Sequence, residues 1–176
     1  MTALRDITNR VMMMFARGVL RAVNDTASRQ TLQVELLKGE LRDGIERMQN
    51  YGLNSHPLGG DVAVAFLGGN REQGIVLVVD DRRYRLNLQP GEVALYDDLG
   101  NKVELLRTMV KVTAVQHLEA TAPTTTINSA VTINGPLIVN GNVATTGTIT
   151  NNSKDIGSAH KHNGVTVGSG STGGPI

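Results

Sequence analysis

Two histidines one residue apart, His160 and His162, are the side chains of this sequence best suited to bind an ion. On an extended strand, residues i and i+2 point the same way with Cα atoms roughly 6.5–7 Å apart, so both imidazoles can face one point. Imidazole is a ligand for iron, zinc, copper and nickel. Two ligands from one chain make a poor site. Around a three-fold axis the same two supply six nitrogens, a closed octahedron, and a site with no open position is structural rather than catalytic. The plain alternative is a pair of surface histidines, the usual status of an isolated His-x-His near a chain end.

Other residues offer less chemistry. His56, before Pro57, reads as a loop or strand end, and His117 as a marker of the exit from the β-rich region. Asp80-Asp81 and Asp97-Asp98 lie in turn-like sequence and read as solvated turn residues. Gly68-Gly69-Asn70-Arg71 lacks the spacing of a phosphate-cradling loop. No Ser/His/Asp or paired-Glu constellation stands out. The absence of cysteine removes thiol nucleophiles, disulfides and zinc-thiolate sites. A non-enzymatic chain without a small-molecule substrate is expected. Net charge +1, 3% aromatic residues and no Trp also argue against nucleic acid as a partner.

The histidines must be positioned by what precedes them, and there the sequence repeats every six residues from Thr126 to Ile149. The second column is Ile127, Ile133, Val139, Thr145; the sixth is Val131, Leu137, Val143, Ile149; the fourth is Ser129, Gly135, Gly141, Gly147. Even columns of a strand share one face, so large apolar residues alternate there with small ones. One such ribbon cannot bury that face, and its edges carry unpaired backbone groups. Four hexads are also short for a solenoid, which gains stability by stacking repeats. Three copies wound about a common axis bury the columns and pair the edges. A homotrimeric, intertwined β-helix is therefore expected.

Upstream, the composition changes near residue 120: after Glu119 only Lys154, Asp155 and Lys161 are charged. Residues 27–118 read as all-β, with strands at Thr31–Leu37, Asp61–Leu67, Gly74–Val79, Glu92–Tyr96, Lys102–Leu106 and Val110–Val115, which suits a small five- or six-stranded barrel. In residues 1–26, Leu4, Ile7, Val11, Met14, Phe15, Gly18, Val19 and Ala22 fall at steps of three and four, the stripe of a helix. That helix either packs on its own domain or docks to a partner ring. The organisation expected is a helical segment 1–26, a barrel 27–118, a β-helical shaft 119–153 and an apex with tail 154–176. The apolar run Val11–Ala16 is preceded by Asp6 and followed by Arg17, so it does not read as a secretion signal. The uncharged stretch Ala120–Ser153 is too rich in Thr, Asn and Gly to read as a membrane span. A soluble protein made in the cytoplasm is expected.

Four strings carry a resemblance: Met48-Gln49-Asn50-Tyr51-Gly52-Leu53-Asn54-Ser55-His56-Pro57, Phe66-Leu67-Gly68-Gly69-Asn70-Arg71, Gly91-Glu92-Val93-Ala94-Leu95-Tyr96 and Ser158-Ala159-His160-Lys161-His162. With them, nearly the whole chain resembles the central spike (baseplate assembly protein V) family of Mu-type contractile-tailed phages. The resemblance implies an OB-fold barrel followed by a trimeric β-helix ending in a sharp, metal-bound apex. It implies one iron per trimer, held by six histidines, which here are His160 and His162 of three copies. It further implies calcium and chloride on the three-fold axis, whose ligands cannot be carried over residue by residue, although Asp155 is the only carboxylate nearby. The implied role is mechanical: piercing of the host outer membrane by a virion baseplate spike, assembled in the host cytoplasm and docked to other tail hub proteins. The OB-fold would be an oligomer platform, so nucleic-acid binding is not carried over with it. Two alternatives stand beside this. A trimeric receptor-binding fibre would ordinarily end in an aromatic-rich head, yet no residue after Tyr96 is aromatic. The spike of a related contractile machine such as a bacteriocin is not separable by sequence.

Overall fold

The computed structural model describes residues 2–157 together with His160, Lys161, Gly164 and Gly168. The chain divides into two units, 1–120 and 121–176, the cut falling where the charged residues stop.

The first unit opens with helix α1 (Thr2–Met12), closed by Met13 and Met14 amides that donate to the carbonyls of Asn9 and Val11. The helix does not continue through Ala22 as the stripe suggested. Phe15–Asn24 is strand β1, so the division into a helical 1–26 and a barrel beginning at 27 is corrected. The residues at steps of three and four also fit an alternation. Phe15, Arg17 and Val19 are exposed, whereas Ala16 and Gly18 are half-buried and Leu20 is buried. Gly18 decides between the two: it weakens a helix, and here its place is against β2, where an added Cβ would lie 2.6 Å from Val34 Cγ1 and 2.7 Å from the Glu35 carbonyl oxygen.

Strands β2 (Thr31–Leu37), β3 (Glu40–Arg47), β4 (Asp61–Phe66) and β5 (Gly74–Asp80) complete a closed barrel of order β1-β2-β3-β5-β4. All neighbours are antiparallel except β3 and β5, which run parallel with Glu46 opposite Ile75. β4 alternates strictly, with Val62, Val64 and Phe66 inward. Together with Leu20, Leu32, Val34, Leu36, Ile45 and Val76 they form the core. Closure leaves no free edge. The amide of Phe66 donates to the Met14 carbonyl at 2.7 Å, tying the helix exit to the barrel wall.

The later strands are not part of that barrel, which corrects the single barrel expected over 27–118. β6 (Val93–Tyr96), β7 (Lys102–Leu105) and β8 (Val110–Thr113) form a separate three-stranded antiparallel sheet within the same unit. Asp97 organises the β6–β7 turn: its carboxylate accepts from the amides of Leu99 and Asn101 and from the Asn101 side chain.

In the second unit, residues 121–149 form no backbone ladder within the chain. A two-residue hairpin follows, β9 (Thr150–Asn151) with β10 (Lys154–Asp155). Asn152 and Ser153 at its tip both have positive φ, 50° and 62°, the backbone of a type I′ turn that matches strand twist. This hairpin straddles the expected shaft–apex boundary at 153/154.

Candidate metal centre and the shaft face

The hairpin β9–β10 positions the first of the two histidines. After Asp155 the chain turns: the Asp155 carboxylate accepts from the Gly157 amide at 2.8 Å, and the His160 amide donates to the Gly157 carbonyl at 3.1 Å. The His160 ring is then held by its Nδ1, 2.8 Å from the Asp155 carbonyl oxygen. A carbonyl can only accept, so Nδ1 carries the proton and Nε2 of the neutral ring does not. A backbone carbonyl orienting the second ring nitrogen is the usual support of a metal-ligating histidine. His162 lies outside the described residues. Asp155, expected as the only nearby carboxylate, contributes its carbonyl and carboxylate to this turn.

Among the described residues, no three His, Asp or Glu side chains converge within one chain. The other candidates are spread apart. His56 Nδ1 is 3.4 Å from the Asp25 carboxylate. His117 lies beside Leu118 at a groove on the β6–β8 sheet. A cleft of about 400 Å³ is lined by His56, Asp81, Tyr84, Tyr96 and Asp97 among others. Two of its acids, Asp81 and Asp97, have structural duties. Asp81 is held below the usual aspartate range, first by its hydrogen bond from Arg83, with which it forms an ion pair. Asp97 is held low, first by the Asn101 side chain and then by backbone amides of its own turn. Asp97-Asp98 sits in a turn, as its sequence context suggested, whereas Asp80 closes strand β5 opposite Asp61 and only Asp81 lies beyond the strand, which corrects the reading of that pair.

The hexad columns are the other feature singled out by the sequence. Every large apolar residue of the second and sixth columns is exposed in the single chain, from 40% at Ile149 to 67% at Leu137 and Val143. The fourth-column glycines Gly135, Gly141 and Gly147 have nothing within 4 Å of where a Cβ would stand. The stripe of α1 is open as well: Leu4, Ile7 and Val11 are all exposed. No helix among the described residues is long and apolar enough to cross a membrane.

Comparison with known proteins bears on the first unit above all. Residues 17–83 match the family model for the N-terminal region of Bacteriophage Mu Gp45, a span that holds nearly all of the closed barrel. The chain is 44% identical over 106 residues to the "Baseplate puncturing device gp45" of Escherichia phage Mu, covering 59% of this chain and 54% of that protein. It is 38% identical over 94 residues to the "Mu-like prophage FluMu protein gp45" of Haemophilus influenzae, covering 53% and 52%. The chain therefore spans about half the length of the curated relatives it matches. At these identities it is a relative of the Mu protein and distinct from it. The resemblance to Mu-type baseplate spike proteins read from the sequence stands.

Proposed function

We propose that this chain, whose residues 17–83 form a Mu Gp45-type N-terminal domain, is the central spike of a contractile tail baseplate, carried in the virion and assembled in the host cytoplasm. Three copies make a non-enzymatic needle that pierces the host outer membrane when the sheath contracts. The observation that carries this reading is the hexad face: two columns of Ile, Val and Leu, ordered in sequence and uncovered in one chain. Burying such columns is favourable by roughly 1.5–3 kcal/mol per large side chain, and three copies about an axis are the arrangement that covers all of them. A closed, internally hydrogen-bonded shaft also suits passage through hydrocarbon, where unpaired backbone groups are costly. The uncharged stretch Ala120–Ser153 avoids about 2.5–3.5 kcal/mol for each charge at mid-bilayer.

His160 and His162 of the three copies would hold one iron at the apex. The orientation of the His160 ring by the Asp155 carbonyl supports a ligand role. Iron bound there supplies a cross-link between three chain ends that would otherwise fray. Calcium and chloride would lie elsewhere on the same axis. The exposed stripe Leu4, Ile7, Val11 of α1 suits docking to another hub protein.

Elemental analysis of tag-free protein, with its solution mass measured in the same run, tests this. One iron per three chains on a trimer is expected. His160→Ala with His162→Ala should leave the trimer and abolish the iron. A metal-free monomer from the unmodified chain would overturn both the needle and the site.

A further inference from the structure

The chain bends at the fourth column of every hexad, at Ser129, Gly135, Gly141 and Gly147. The third column, just before each bend, reads Asn128, Asn134, Asn140 and Thr146. Two hexads therefore set an asparagine directly before a glycine, as Asn134-Gly135 and Asn140-Gly141. All four of these residues are exposed. None of them has a hydrogen-bond partner within the chain among the described residues. Neither glycine meets anything within 4 Å of where a Cβ would stand. Glycine turns freely about its backbone bonds, so its nitrogen can swing onto the side-chain carbonyl carbon of the asparagine before it. The other two hexads lack one half of this arrangement. Asn128 precedes Ser129, whose Cβ restricts that swing, and Thr146 has no side-chain amide to lose.

We propose that Asn134 and Asn140 are sites of self-modification, each losing its side-chain amide to the following glycine while the shaft is unassembled, and that closing the shaft stops the reaction. The glycine amide nitrogen bonds to the asparagine side-chain carbonyl carbon. The bond from that carbon to the side-chain nitrogen breaks, and the nitrogen leaves as ammonia with the proton given up by the glycine amide. The cyclic imide so formed takes up a water molecule and opens at either carbonyl, to aspartate or to isoaspartate. The protected state rests on the trimer reading above. In a closed shaft the Gly135 and Gly141 amides are held in backbone hydrogen bonds between chains, and neither nitrogen reaches the side chain. The two products differ in their effect. Aspartate sets a carboxylate on the odd face of a stretch that is uncharged from Ala120 to Ser153, and conversion at both sites reverses the sign of the chain's net charge of +1. Isoaspartate adds a carbon to the backbone, which moves every later column off its face. A chain left unassembled thus drifts away from the pattern that assembles it.

The test incubates the full-length protein at mildly alkaline pH, where loss of the amide proton speeds ring closure. It is run under native conditions, with solution mass measured beside it, and again in urea. Lys111 and Lys154 bound a tryptic peptide, 112–154, that holds all three third-column asparagines. Fragmentation of that peptide in a mass spectrometer assigns each conversion to its residue. In urea, Asn134 and Asn140 should convert about threefold or more faster than Asn128. In the native trimer both should convert about tenfold or more slowly than in urea. Gly135→Ser with Gly141→Ser makes the three pairs alike, and in urea it should bring Asn134 and Asn140 down to the Asn128 rate. That comparison does not depend on whether the variant folds. Equal rates at the three asparagines of the unmodified chain in urea overturn the inference. A native trimer that converts at the urea rate also overturns it and leaves the trimer reading intact. A monomeric native chain overturns both.

Discussion

Gly18 is the residue on which the start of the barrel turns. Its place opposite Val34 has no room for a methyl group, and neither close neighbour can yield: Val34 is fully buried, and the Glu35 oxygen belongs to the backbone of β2. Gly18→Ala should therefore destabilise the barrel by about 1–3 kcal/mol, the range for overpacking, read as a lower urea midpoint at unchanged slope. A midpoint equal to wild type would mean that β1 does not approach β2 as described. Glu40 makes a pH-dependent contribution at the same scale. Its carboxyl is held below the usual glutamate range, first by the hydrogen bond from Arg71 and further by that charge and by Arg42. A carboxyl depressed in the folded state takes up its proton at lower pH than the same group in the unfolded chain. Its contribution is present above the ordinary glutamate range and is lost as pH falls through the depressed folded value. The urea midpoint should fall as pH is lowered through and below the ordinary glutamate range, and fall less in Arg71→Gln, where the depression is relieved.

At the scale of elements, the strands whose alternation is undisturbed were legible. Thr31–Leu37 was read with the bounds it has in β2, and Asp61–Leu67 and Gly74–Val79 differ from β4 and β5 by a residue. β1 and β3 were not, for physical reasons. β1 carries a bulge between Leu20 and Ala22, which breaks the alternation and leaves steps of three and four that mimic a helix. β3 is rich in charge and has two register shifts against β2 and Gly44 at φ 70°. Its one buried aliphatic residue, Ile45, gives no pattern to read. The β6–β8 sheet was legible as strands but assigned to the barrel, because hydrophobic alternation says which residues share a face and not what covers it. Toward the C-terminal end, sequence spacing names His160 and His162 as a candidate pair, while the hydrogen bond between the His160 ring and the Asp155 carbonyl is a contact that spacing does not encode. Across β4 and β5, Phe66 stands opposite Gly74, and a Cβ there would lie 2.9 Å from the Phe66 ring. This pair should be coupled. Gly74→Ala is expected to destabilise the wild-type barrel by about 1–3 kcal/mol. In a Phe66→Leu background the same change should cost less, by a coupling of about 0.5 kcal/mol or more. Strict additivity in a double-mutant cycle of urea midpoints would mean that the ring does not fill the space over Gly74.

At the scale of the whole molecule, the two units divide the forces that hold them. The first has a core of its own, with six side chains less than 2% exposed or at 2%, and its stability belongs to one chain. In the second, residues 121–149 have no core within the chain, and on the trimer reading their stability belongs to the assembly. Disruption of the shaft should therefore separate the two. Val143 sits in the sixth column, and Val143→Asp would bring three carboxylates together in the interior of the trimer. Buried like charges without partners are strongly unfavourable, so the chains either separate or take up protons. At neutral pH, this variant should lose the trimer or dissociate at far higher protein concentration, and its second unit should become sensitive to protease. The barrel's urea midpoint should stay where it is in wild type. Lowering the pH should restore some association, because protonation removes the repulsion. Asn140→Asp, in a third-column position on the opposite side of the ribbon, is the control and should remain trimeric. Equal association of Val143→Asp and wild type across this pH range would mean that the sixth column does not face the interior, and the hexads would then need a different partner.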